Sequence, residues 1–219
     1  MSYGPEDAAI DQGMAELYEE HREQAIEEFT DERLQSYYRK NHLLAKPALD
    51  SLLDARNLLS TNPTASVLFA AIATEVGLKA TLLKPIVYGL VHDESTASLI
   101  TDLTISYPSM DKYRALLLQV LNVHGGVDLD TYKRRGSNTP LWEEIKKVQK
   151  IRNSLMHRAE RASKDDADIA LGTATAILEA VFPAVVKKMG LHLHDGVQIC
   201  GDWKCQYKNT PFGNLIDGT

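Results

Sequence analysis

Arg152-Asn153-Ser154-Leu155-Met156-His157 closes a helical segment that runs from Pro140 to Arg161, and this segment decides how the chain is read. At about 100° per residue, Leu141, Ile145, Val148, Leu155 and Ala159 fall within about 40° of one line along the helix. Arg152 lies about 20° from that line, in the middle of the apolar stripe. A charge on a packing face must be paired or must bind something. His157 leaves nearly the opposite side of the helix, and histidine is the side chain suited to moving protons near neutral pH. An Arg that holds an anion and a His that moves a proton are the minimal equipment for attack on a phosphodiester.

The flanking sequence frames this helix. Thr139-Pro140 opens it, with Glu143 and Glu144 in the first turns, where acids favour the helix dipole. The stretch from His124 to Thr139 is polar, holds Gly125-Gly126, Lys133-Arg134-Arg135 and Gly136-Ser137-Asn138, and reads as a mobile loop. Ser163-Lys164-Asp165-Asp166 has cap chemistry for a long last helix over 164–189, which Gly190 terminates. Upstream, the pattern predicts a helix from Thr64 to about Lys84. It is apolar nearly all round from Val67 to Ala73, as a central helix is, and Pro85 ends it or follows its end. Asn62-Pro63-Thr64 supplies its cap.

Further helices are predicted over 41–59, 95–105 and 111–123. Residues 6–39 read as one or two acidic amphipathic helices whose apolar residues include Ile10, Met14, Leu17, Tyr18, Ile26, Phe29 and Leu34. The tail alternates around a turn signal. Leu191-His192-Leu193-His194, then Asp195-Gly196, then Val197-Gln198-Ile199-Cys200 predict a small two-stranded hairpin. The expected fold class is all-α, a bundle of about four or five core helices with mostly short loops. An acidic arm over 1–39, a bundle over 40–190 and a tail over 191–219 are the expected parts. There is no internal repeat.

With 219 residues, 44% of them hydrophobic, the chain can bury one sizeable core. Its apolar runs read as too short to cross a bilayer, and its first residues lack the pattern of a signal peptide. Two cysteines, both near the C-terminus, make no disulfide framework. The expected compartment is the cytoplasm, with no membrane partner. The net charge of -6 averages unlike regions. Residues 1–35 hold eleven acids and two bases, whereas Thr131 to Lys164 holds ten bases and three acids. A local excess of that size can draw in a polyanion, although charge runs more often form solvated helix faces.

Arg152-Asn153-x-x-x-His157 resembles the Arg-x(4-6)-His signature of the HEPN superfamily of small all-helical domains, in which Asn commonly follows the Arg. Its position late in a helix before the last long helix fits as well. The segment Ala73-Thr74-Glu75-Val76-Gly77-Leu78-Lys79-Ala80 resembles the E-x-x-L-K helix of several HEPN families. The likeness covers roughly residues 40–190 and leaves both extensions unexplained. It implies a metal-independent endoribonuclease, with no cofactor, that works as a dimer with one composite site at the interface. It also implies the biology of toxin–antitoxin or antiphage systems, with an antitoxin or regulatory protein as a further partner. On this likeness Arg152 binds the scissile phosphate, His157 is the general acid or base, and Asn153 orients the site.

The chemistry is sound in itself. RNA carries its own nucleophile, so the protein need supply only proton transfer and charge stabilisation. Arg offers a planar fork to phosphate oxygens. Five residues separate Arg152 from His157, about 140° around the axis, so two helices related by a two-fold suit one phosphate better than one helix does. Arg158 and Arg161, with Lys133, Arg134 and Arg135, are candidate RNA contacts; each also reads as a solvated helix end or loop.

Glu75 lies on the apolar face of its own helix and is the natural ion-pair partner of Arg152. That pair is either purely structural or a catalytic support. The structural option belongs to a second reading, a non-catalytic helical module that binds a nucleotide or a protein. Trp142 suits the core better than base stacking. His192, His194, Cys200 and Cys205 are metal-type ligands and suggest a third class, a zinc-stabilised scaffold. The Cys-x4-Cys spacing is loose, however, and the tail reads rather as a hairpin packed with Trp203 and Tyr207, with no metal assigned.

Overall fold

The computed structural model describes residues 5–91, 93–105, 115, 118–119, 121–123, 126–202 and 204–205. The helices are α1 (Pro5–Lys40), α2 (Lys46–Leu58), α3 (Pro63–Val91), α4 (Glu94–Ile105), α5 (Leu141–Arg158) and α6 (Lys164–Lys188). Two short strands follow, β1 (His192–His194) and β2 (Gln198–Cys200), paired antiparallel. The fold class is all-α with a small C-terminal hairpin. Most of the expected helix over 111–123 and both tail aromatics, Trp203 and Tyr207, lie outside the described residues.

Sequence signals set most of the boundaries. The Asn62 side chain accepts from the Ala65 N–H at 3.1 Å, and Pro63 stands at the first helical position of α3. Ser163 and Asp166 form a capping box at the start of α6. Asp195 and Gly196 both take positive φ, which the tight hairpin turn requires.

α3 packs against α2, α5 and α6 and forms the centre of the bundle. Leu141, Ile145 and Val148 of α5 are buried, as is Trp142, so the indole is a core side chain. α1 is one continuous helix. Its last turns belong to the bundle, because Leu34, Tyr37 and Tyr38 are buried, so the expected boundary at residue 39 divides a single element. Its first half carries Ile10, Met14 and Leu17 exposed.

α3 does not stop at Pro85. A wide π-helical turn over Gly77–Leu83 precedes the proline, with the Lys84 N–H reaching back to Lys79 O. Proline has no N–H for the carbonyl four residues back, here that of Thr81. The buried Tyr38 hydroxyl donates to that carbonyl at 2.9 Å instead. α6 repeats the device, with a wide turn at Ile177–Val181 just before Pro183. The two wide turns meet. A Cβ on Gly77 would stand 3.1 Å from Leu178 and 3.2 Å from Ile177. Tyr38→Phe should therefore cost about 1–3 kcal/mol in urea unfolding, since it removes a buried donor from a carbonyl that Pro85 cannot serve.

Because these turns carry each helix through its proline, α3 and α6 are long and apolar enough to cross a membrane by length and composition. This corrects the expectation of runs too short to do so. Within the bundle 61% and 56% of their apolar windows are buried, and the two helices pack on each other.

The connection before α5 is anchored, which corrects the reading of a mobile loop. Leu129 is fully buried and Val127 nearly so. Pro140 offers no capping side chain, and loop carbonyls take its place. The Leu141 N–H donates to Tyr132 O at 2.8 Å and the Trp142 N–H to Leu129 O at 3.1 Å.

Candidate functional site

The motif helix ends earlier than its pattern implies. α5 stops at Arg158, and Ala159 takes φ 54° in the left-handed region. Ala159 is therefore an exposed helix stop rather than the last member of the buried stripe. A Cβ in that conformation costs about 1 kcal/mol, so Ala159→Gly should raise stability by about 0.5–1 kcal/mol in thermal or urea unfolding.

Arg152 stands about two turns before that stop. Its Nη2 lies 4.0 Å from Glu75 Oε2 on α3, and its Nη1 donates to Asn153 Oδ1 at 3.3 Å. The anticipated partner is thus in place, but the pair is not buried: the two side chains are 39% and 38% exposed. Burial stops at Leu155 and Val148, and the Arg152 side chain extends past them toward solvent. Glu75 also faces Lys79 at 3.5 Å, and Lys79 faces Asp102 of α4 at 3.8 Å. A ladder of alternating charge therefore crosses three helices.

Asn153 has a feature the sequence did not signal. Its Nδ2 is buried and makes no hydrogen bond, although Oδ1 is engaged by Arg152. A shielded amide donor without an acceptor is costly. His157 is exposed, as are Lys147, Lys150, Arg158, Arg161 and Lys164. Arg158 lies 3.9 Å from Glu160, an exposed pair of little energetic weight.

The structure divides the expected cationic residues into two groups. Lys133 and Arg135 are exposed beside the first residues of α5, whereas Arg152, His157, Arg158 and Arg161 lie at or beyond its last turns. From Leu141, Arg152 lies about 17 Å along the helix and Arg158 about 26 Å. The basic stretch from Thr131 to Lys164 is spread along the length of α5, with the exposed Lys147 and Lys150 between the two groups.

Arg134 is not free to join either group. Its Nε donates to Glu144 Oε2 at 2.8 Å, and the Ser137 hydroxyl donates to the other oxygen at 2.7 Å. The Glu144 side chain is 6% exposed, and the guanidinium lies so close to α6 that a Cβ on Gly172 would come within 2.8 Å of it. The expectation of Arg134 as an RNA contact is replaced by a structural role, fastening the connection to α5 and α6. Glu144 was readable only as a dipole partner, yet it lies about 60° from the apolar line, close enough to be carried into the core.

Chemically, the end of α5 offers a partly exposed arginine side chain whose guanidinium is held by a carboxylate and an amide. An imidazole stands exposed in the last turn. No family model, curated protein or solved structure matches the chain.

Proposed function

We propose that this chain is a metal-independent endoribonuclease of HEPN type, a cytoplasmic homodimer acting in growth arrest or antiphage defence. The observation that carries the reading is the setting of Arg152. Its side chain is more than a third exposed, its guanidinium is held by Glu75 and Asn153, and it stands near a helix end lined with exposed cations. A purely structural arginine is better served by burial against its partner, as Arg134 is.

In this mechanism Arg152 holds the non-bridging oxygens of the scissile phosphate. The ribose 2′-hydroxyl loses its proton and attacks phosphorus, and the bond to the 5′-oxygen breaks. His157 takes the first proton or supplies the one the leaving oxygen needs. The products are a 2′,3′-cyclic phosphate and a 5′-hydroxyl. Because the two side chains leave α5 about 140° apart, Arg152 of one protomer works with His157 of its partner. Exposed apolar side chains support such a two-fold. Ile72 stands one turn before Glu75, 46% exposed, and Met156 one turn after Arg152, 60% exposed.

The charge ladder from Arg152 to Asp102 favours a second reading, a non-catalytic module that binds a nucleotide or a protein partner. There the acidic α1 is the contact surface. His157→Ala separates the two. The ribonuclease reading expects the variant to fold and to lose RNA cleavage by at least about 10²-fold. Equal cutting by wild type and variant would remove His157 from the chemistry.

A further inference from the structure

The C-terminal hairpin brings three metal-type ligands together, which neither the spacing of the cysteines nor the alternation of the histidines makes apparent. The register of β1 and β2 sets His192 directly opposite Cys200. Cross-strand partners project from the same face of a hairpin. Beyond β2 the chain turns back on itself. The Lys204 N–H donates to Asp202 Oδ1 at 2.9 Å, and the Cys205 N–H donates to Asp202 O at 3.1 Å. This turn returns Cys205 to Cys200. A ring nitrogen of His192 and the two Sγ atoms all lie within 4.8 Å of one another. All three residues are partly buried, and His192 Nε2 is shut off from solvent.

Two further details suit a metal. The Asp202 N–H donates to Cys200 Sγ at 3.4 Å, an outer hydrogen bond of the kind that orients a metal ligand. His194, the other histidine of β1, is drawn away to Asp195 at 3.1 Å, so the set is defined as one imidazole and two sulfurs. A tetrahedral zinc with bonds of about 2.0–2.3 Å holds its ligand atoms about 3.5–3.8 Å apart. The three atoms need to close by roughly an ångström, within reach of side-chain rotation in a hairpin and turn.

We propose that His192, Cys200 and Cys205 bind Zn2+, with water or an added ligand in the fourth position. Two thiolates and an imidazole select a borderline-soft ion of this kind over magnesium or calcium. The ion staples Cys205 to the hairpin. The hairpin in turn is fastened to the α1–α2 junction, where the Ile199 N–H donates to His42 O at 2.9 Å. The site is independent of the ribonuclease reading. The end of α5 adjoins the start of α6, whereas the hairpin follows the far end of α6, about 37 Å along that helix.

The test is a Co2+ titration of the full chain, stripped of metal, fully reduced and kept anaerobic. A thiolate-to-cobalt charge-transfer band with intense visible bands is expected, saturating at about one equivalent and displaced by Zn2+. Cys200→Ser and Cys205→Ser should each abolish or strongly weaken that band, and His192→Gln should weaken binding by at least about tenfold. Absence of the band in the reduced wild-type chain overturns the proposal without reliance on any variant. So does an unchanged band in both cysteine variants.

Discussion

Arg134→Ala should lower stability by about 3 kcal/mol, a fall of roughly 6–12 °C in Tm for a chain of this size. The substitution leaves the Glu144 carboxylate nearly enclosed with only the Ser137 hydroxyl beside it. Breaking one side of a buried pair is far costlier than losing an exposed one, because the remaining charge has no compensation. Adding Glu144→Gln to that variant should recover much of the loss, since the residual group is then neutral. Lys133→Ala and Arg135→Ala, at exposed neighbours in the same connection, should each change stability by no more than about 0.5 kcal/mol. Urea unfolding of these four chains checks the pattern. Equal effects at 133, 134 and 135 would mean that the connection is held in some other way.

Arg152→Ala should give the opposite profile: a small change in stability and a large loss of activity. The Arg152–Glu75 pair is more than a third exposed on both sides and spans 4.0 Å, so solvent screening limits its worth to about 0–1 kcal/mol. As the donor that meets developing charge on phosphate, the same guanidinium is worth about 10²–10³-fold in rate. Arg152→Lys keeps a point charge without the planar fork and should restore only part of that rate. Unfolding and cleavage measured on the same preparations check both halves. If Arg152→Ala unfolds the chain while His157→Ala does nothing to RNA cleavage, the charge ladder is structural and the binding-module reading takes over.

Much of the architecture was legible in the sequence. Asn62-Pro63, Ser163 with Asp166, and Asp195-Gly196 act through local geometry, and each stands where its chemistry implies. The misreadings arise where tertiary contacts override local rules. Pro85 ends an isolated helix, but a wide turn and the distant Tyr38 hydroxyl carry α3 through it. A polar, glycine-bearing connection reads as loose, yet Leu129 and the Arg134–Glu144 pair fix it. Ala159 fits the stripe by angle, but the helix has already turned out of it.

The site shows the same division. Periodicity pointed to Glu75 as the partner of Arg152, because both lie on helix faces that meet. It could not give the exposure of that pair, which depends on where the neighbouring helices stop. The His192–Cys200 pairing was equally out of reach. It depends on strand register, and a shift of one residue would send the two side chains to opposite faces.

The most direct test of the ribonuclease reading is the chemistry of the cut ends. Purified wild-type chain is incubated with RNA in excess EDTA, after circular dichroism has established that it stays folded in the chelator. Terminal analysis of the fragments should then find 2′,3′-cyclic phosphate and 5′-hydroxyl ends, the signature of attack by the neighbouring 2′-hydroxyl. Fragments with 5′-phosphate and 3′-hydroxyl ends, cutting that requires an added divalent metal, or intact RNA beside a folded dimer would contradict it.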